Sequence, residues 1–482
     1  MNQALNVQAK KGGRFGDHLI AAGVITQQAI DAFITSTPNE PDSLAATGID
    51  ENELVSLLLK LIYINRLESG SQFADAIKLP YHIVLELVRI ATDRKLIYSR
   101  GLRPDNLADM NYSLTDEGRR FAVDALQRSQ YAGPAPVTLE EFSDRVNLQK
   151  ITNEIVTIDR VRECVTDLAL EDRLIEQIGP ALNSGRAILL YGPPGNGKTT
   201  FANHLANVFS TTIYVPYAIT VEGQIIRVYD PSLHLRLAPS SAEEQPAPAP
   251  RAKGHAFLRK DSIDARWVPC KRPFVTAGGE LTLEMLDLRY DPVTNFYEAP
   301  LHIKALGGCF VIDDFGRQLV SPTHLLNRWI VPLENRIDYL KLHTGKSFAI
   351  PFDELVMFST NLEPEDLMDT AFLRRLPYKI EIGAPSVELY RCIFDQVCSP
   401  YSLDLTDEIF DSIVYKIREE KKLQLAAYQP RFIVDQVLAS CRFIRETPRF
   451  EPRFIDHALD NLRVKRGSLP RGASQGAQVI SG

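Results

Sequence analysis

Residues 191–200 read YGPPGNGKTT and place Gly192, Gly197, Lys198 and Thr199 at the spacing G-x-x-x-x-G-K-[ST]. The apolar run 187–190 before them reads as a buried strand, and 200–209 after them has the period of an amphipathic helix. Strand, glycine-rich loop and helix in that order make such spacing a phosphate-binding loop. The residues that would wrap the phosphates are Gly192, Pro193, Pro194, Gly195, Asn196, Gly197, Lys198, Thr199 and Thr200. Their backbone N–H groups form an anion nest, and the helix N-terminus adds a partial positive charge. Lys198 is expected to reach the β- and γ-phosphates and Thr199 to ligate Mg2+.

Three later stretches fit the same chemistry. Residues 308–315, GCFVIDDF, put two carboxylates directly behind four apolar residues. That pattern is a buried parallel strand whose C-terminal end projects acids into the crevice where open α/β sheets bind ligands. Asp313 would hold Mg2+ and Asp314 would polarise the attacking water. Residues 354–361, ELVMFSTN, form a second apolar strand that ends in Asn361, a group able to hydrogen-bond both the water and the γ-phosphate. Residues 371–377, AFLRRLP, place Arg374 and Arg375 at the end of a short helix. These are either a surface ion-pair couple or a source of positive charge for a neighbouring subunit's nucleotide.

Together the four stretches resemble the AAA+ ATPases over roughly residues 170–465. The resemblance implies an α/β fold: a P-loop core with a parallel sheet, followed by a four-helix lid. It makes 192–199 the Walker A segment and 310–314 Walker B. Sensor 1 falls at Asn361, the arginine finger at Arg374 or Arg375, and the lid's sensor 2 at Arg431, just after Pro430. It also implies ATP and Mg2+ as cofactors, hydrolysis of ATP, and self-association into a ring, most often of six subunits. One position departs from the family: the second Walker B acid is usually Glu, and here it is Asp314, one methylene shorter.

The remaining chain divides around that core. Residues 1–48 carry a helical segment; 14–34 read as two helices around Gly23 with Thr26 as N-cap, and resemble the amino-terminal domain of type II secretion and pilus ATPases. Residues 49–130 read as helices, a two-strand wing and a further helix, a winged-helix-like α+β domain. Eleven Lys/Arg and eleven Asp/Glu over 51–130 leave it neutral, which favours a protein partner over DNA, since DNA affinity rests on Lys and Arg. A linker and helices span 131–169, the core 170–385, the lid 386–465, and a Gly/Ser/Ala-rich tail 466–482. The core's second strand is expected at 212–215, followed by an insertion over about 216–305 with a Pro/Ala-rich mobile loop at 238–253. Arg266, Lys271 and Arg272 flank Trp267, a pattern able to touch nucleic acid. Arg328 and Arg336 are candidates to line a subunit interface.

The net charge of −7 argues against bulk nucleic acid or an anionic membrane surface as main partner. No run approaches the roughly 18–20 apolar residues of a bilayer span. The start lacks a secretory core, and the six cysteines are scattered without a C-x-x-C pair, so a reducing cytoplasm is expected.

Overall fold

The computed structural model describes residues 37–102, 109–237, 263–367 and 370–462. The readings for 14–34, 238–253 and the tail beyond 465 lie outside the described residues. The described chain forms two compact units: one of residues 37–164, 175–191 and 202–380, the other of 165–174, 192–201 and 381–462.

The first unit begins with a helical module. The Asp50 side chain accepts the Asn52 N–H and caps α1 (Glu51–Asn65), whose first turn carries Glu51 and Glu53 at the positive end of the helix dipole. Leu54, Leu57, Leu58, Leu61 and Ile62 bury its apolar face. Ser69 and Gln72 close a reciprocal capping box at the start of α2 (Gly70–Ile77). After α3 (Tyr81–Asp93), β1 (Ile97–Leu102) and β2 (Met110–Leu114) pair antiparallel. Thr115 then caps α4 (Asp116–Arg128), which packs on α1.

The chain continues through β3 (Val137–Thr138), α5 (Leu139–Leu148), α6 (Ile158–Cys164), α7 (Asp172–Ser184), β4 (Ile188–Tyr191) and α8 (Lys198–Leu205). Next come β5 (Ile213–Pro216), β6 (Ala218–Val221), β7 (Gln224–Arg227), β8 (Trp267–Cys270), β9 (Phe274–Ala277), β10 (Arg289–Asp291), β11 (Phe296–Glu298), α9 (Leu301–Lys304) and β12 (Cys309–Ile312). Helix α10 (Pro322–Asn335) leads to β13 (Ile337–Lys341), β14 (Ser347–Pro351) and β15 (Leu355–Ser359). Short helices α11 (Pro364–Leu367) and α12 (Thr370–Leu373) precede β16 (Tyr378–Glu381).

The central sheet has the order β16-β4-β15-β12-β9, and β4, β15, β12 and β9 run parallel. Every residue of β12 and β15 is buried, as strands covered on both faces require. Trp329 of α10 anchors one side, edge-on to Phe310, Phe352 and Phe358. The second strand of this sheet is β9, not the 212–215 run expected from the sequence. β5 instead pairs antiparallel with β8, Ile213 opposite Cys270, while Phe274 of β9 lies opposite Cys309 of β12. Val275 and Ala277 pack in the core shared with Phe310 and Ile312, whereas Ile213 and Val215 enter the core of a separate β-layer. The insertion is therefore shorter than 216–305, because β9 within that range belongs to the central sheet. After β9, Leu283–Leu286 forms a single tight helical turn.

The β-layer has a sheet of order β10-β11-β7-β6-β3, the β5–β8 pair and the β13–β14 hairpin. Ion pairs tie it together from inside. Arg266, 1% exposed, pairs with Asp264 at 2.8 Å and Glu141 at 2.9 Å, and Trp267 beside it is buried. Arg272 pairs with Glu154 at 3.1 Å. The basic residues around Trp267 are thus mostly enclosed by carboxylates and apolar packing, which overturns the nucleic-acid reading of that stretch. Arg328 and Arg336 are committed inward too, Arg328 to Asp338 and Arg336 to the carbonyls of Glu354 and Gly185.

In the second unit, α13 (Val387–Cys398) and α14 (Asp407–Tyr415) start at the caps Ser386 and Thr406. Helix α14 runs on into a wider turn, Lys416–Glu420; α15 (Gln429–Ile444) and α16 (Pro452–Asn461) follow. Each of the last two has Pro in its first turn, where the missing N–H is harmless. Tyr390, Phe394, Phe410, Ile413, Val437 and Leu459 form their common core.

Candidate nucleotide site

The glycine-rich loop belongs to the second unit. Gly192, Gly195 and Gly197 have φ of +134°, +81° and +84°. Two of them are also fixed by space: a Cβ on Gly192 would sit 2.5 Å from the Ile382 carbonyl oxygen, and one on Gly195 would sit 2.4 Å from the Tyr428 ring. No side chain fits either place without displacing its neighbour. The Tyr428 N–H donates to Gly195 O at 2.9 Å, and the Ala427 N–H donates to Asn196 Oδ1 at 3.1 Å. A hollow lies there, lined by Pro193, Pro194, Gly195, Asn196, Leu425 and Tyr428 among others. Lys198 is 6% exposed, and its Nζ donates to Gly192 O at 2.8 Å and Pro193 O at 2.9 Å. Its ammonium is therefore folded across the loop's own carbonyls. Thr199 and Thr200 lie in the first turn of α8, where helical N–H groups have no intrahelical acceptor. Arg431 stands in the first turn of α15, exposed and paired with Asp435 at 3.3 Å; it does not line the hollow.

The acids belong to the first unit. Asp313 follows β12, and its N–H donates to Ala277 O at 2.9 Å. Asp314 has φ +49°, left-handed for a residue that is not glycine. Asn361, beyond the end of β15, donates from Nδ2 to Asp314 Oδ1 at 2.9 Å. Asp314 and Asn361, 47 positions apart in the chain, thus meet at the C-terminal ends of adjacent parallel strands.

Two residues that the sequence reading did not single out hold this turn. Gln318 accepts the Gly316 N–H on Oε1 at 2.8 Å and donates from Nε2 to Asp313 O at 2.9 Å. The Thr360 hydroxyl donates to Phe315 O at 2.8 Å and accepts the Leu362 N–H at 3.2 Å. Thr360 carries a weak signal, a hydroxyl residue beside Asn361 at a strand end. Gln318 carries none, because its role exists only once the turn is closed. Arg374 is exposed, whereas Arg375 forms an ion pair with Glu334 of α10 at 2.6 Å.

A parallel sheet whose first strand runs into a glycine-rich loop, with acids and an amide closing its neighbours, defines a P-loop α/β nucleotide-binding protein. The proteasome-activating nucleotidase of Archaeoglobus fulgidus is 23% identical over 235 residues, 47% of this chain and 55% of the relative. An AAA ATPase forming ring-shaped complexes from Micrococcus luteus is 38% identical over 86 residues, 18% of this chain and 14% of the relative. Over those stretches the chain is similar to an AAA ATPase and to proteasome-activating nucleotidases. It spans about half the length of the nucleotidases it matches. NtrX from Brucella abortus superposes at a TM-score of 0.35 with 12% identity, over 81% of this chain and 64% of that one. Residues 386–461 match the family model described as "Domain of unknown function (DUF8689)". Among the described residues no helix is long and apolar enough to cross a membrane.

Proposed function

We propose that the chain binds and hydrolyses Mg-ATP as one subunit of a ring of six that remodels a protein partner. The observation that carries this reading is the Asn361–Asp314 hydrogen bond at the ends of β15 and β12. It pairs an acceptor able to polarise water with an amide able to orient it. The donor set suits a nucleotide polyphosphate: three glycines with positive φ, a buried lysine and a helix start. Lys198 would hold the β- and γ-phosphates, with Thr199 and Asp313 as magnesium ligands. One carboxylate and one hydroxyl suffice for that ion, which keeps waters and phosphate oxygens as its other ligands. Magnesium so held would neutralise charge on the transferring phosphoryl group. Arg431 would serve as the lid's arginine; its exposed pair with Asp435 is worth only about 0.3–0.5 kcal/mol, too little to hold it away from a phosphate.

The ring draws support from the Micrococcus luteus relative, whose name states ring-shaped complexes. A protein partner fits the helical module of 49–130 better than DNA does. Arg89 on α3 is paired with Asp93, and Tyr81, Leu85 and Tyr98 are exposed. A second reading, a nucleotide switch that hydrolyses slowly, is favoured by Asp314 alone, which is shorter than Glu and tied to Asn361. Steady-state turnover separates the two. We expect Asp314→Asn to keep nucleotide affinity and lose about 100-fold in kcat. Unchanged turnover in that variant would remove Asp314 from its role, and a wild-type kcat near zero with tight ATP binding would select the switch.

A further inference from the structure

A cleft of about 450 Å³ lies between the helical module and the β-layer, within the size range of small-ligand sites. At its base is Lys60 of α1, 4% exposed. Lys60 Nζ donates to Ser129 O, at the C-cap of α4, at 3.1 Å. An ammonium has two further hydrogens to place. Among the described residues no carboxylate pairs with it, and the neighbouring charge that bears on it is a second cation, Arg128. Burial first, and Arg128 second, push this ammonium down to about 8. Glu53 also lines the cleft without pairing to Lys60, and burial first, then Asp50, raises its carboxyl. A buried cation without a counter-ion is destabilising, and a bound anion offsets that cost. The walls are apolar at Ile49, Leu57, Ala125 and Ile225.

We propose that this cleft binds a small carboxylate with an apolar body, the carboxylate against Lys60 and Arg128 and the hydrocarbon along Ile49, Leu57, Ala125 and Ile225. The apolar walls favour an anion that carries a hydrocarbon body over a free phosphate. The site is separate from the glycine-rich loop and stands whether or not the chain hydrolyses ATP.

The competing account is that Lys60 only caps α4. Titration calorimetry on the full chain with 4-phenylbutyrate and its uncharged amide distinguishes the two. We expect saturable binding of the carboxylate with Kd below about 1 mM, and at least tenfold weaker binding of the amide. Lys60→Met, which keeps the volume and removes the charge, should weaken the carboxylate at least tenfold while matching or exceeding wild-type Tm without probe. Ser56→Phe, which fills the cleft and leaves Lys60 in place, should abolish binding as well. No saturable binding to the wild-type chain overturns the proposal. So does equal binding to the Lys60→Met and wild-type chains, or, if Lys60→Met fails to fold, undiminished binding to Ser56→Phe.

Discussion

Asp314 sits where an L-residue pays roughly 1–2 kcal/mol in local strain, since its φ is +49°. The Gln318 side chain, bridging Gly316 N and Asp313 O, and the Thr360 hydroxyl on Phe315 O hold the turn that imposes this conformation. Gln318→Ala should let Asp314 relax toward an unstrained φ and lose its aim. We expect kcat to fall about tenfold with KM near wild type, since a positioning residue acts on the reacting geometry rather than on uniform binding. An unchanged kcat, or a KM effect alone, would reduce Gln318 to turn stability. Glu354 presents a different single-residue conflict. It is fully buried, and among the described residues neither carboxylate oxygen finds a side-chain or main-chain donor from another residue. Burial first, then Asp353, raises its pKa well above 4.5. The folded carboxyl therefore stays protonated while the unfolded chain ionises, so this group lowers stability as pH rises above 4.5. Glu354→Met should add about 1–3 kcal/mol at neutral pH and progressively less toward pH 4. A gain in Tm that stays flat across that range would show that ionisation is not the cause.

The hairpin β13–β14 shows how one element is fixed by a few buried charges. Asp338 of β13 accepts Arg328 at 2.6 and 2.8 Å and His302 Nε2 at 2.8 Å, joining the strand to α10 and α9. Burial would raise this carboxyl, but the hydrogen bonds from His302 and Arg328 outweigh it and hold it at about 2. The stabilisation is thus present above the ordinary aspartate range near 3.8 and is lost as pH falls toward 2. At the hairpin turn His343 stacks on Tyr290 at 4.1 Å. Asp338→Ala leaves Arg328 and His302 without their shared carboxylate, and should cost about 3–5 kcal/mol in urea unfolding. A loss under about 1 kcal/mol would mean the hairpin is held by its apolar contacts alone. Elements of this kind were unevenly legible. Strands β4, β12 and β15 announce themselves as short apolar runs ended by Gly, Asp or Asn, because strands buried on both faces admit little else. The exchange of β5 for β9 was not legible. Both are four-residue apolar runs, and the choice of ladder lies in partners tens of residues away. The site divides the same way: Asp313, Asp314 and Asn361 follow from strand ends, while Gln318 needs the closed turn before its amide has anything to bridge.

At the scale of the whole molecule, the adjacent arginines can be told apart by what each already holds. Arg375 is paired with Glu334 in its own subunit, so moving it to a neighbour would break an existing contact. Arg374 is exposed at the turn after α12. In the ring proposed above, the finger that acts on a neighbouring subunit would therefore be Arg374. Arg374→Ala should abolish turnover while leaving ATP affinity near wild type, and Arg375→Ala should act mainly on stability. Mixing tests the geometry more strictly than either variant alone. A Lys198→Ala subunit has no working loop but offers an intact Arg374, and an Arg374→Ala subunit has the reverse defect. If each site takes its loop from one subunit and its arginine from the next, an equal mixture restores about a quarter of the sites, those with the complementary pair in the right order. If the arginine serves its own subunit's nucleotide, no mixture of the two inactive chains recovers any turnover. Recovery to about a quarter, in a sample whose mass confirms mixed assembly, requires a finger that crosses from one subunit to the next, and the same mass measurement tells a ring of six from a smaller assembly.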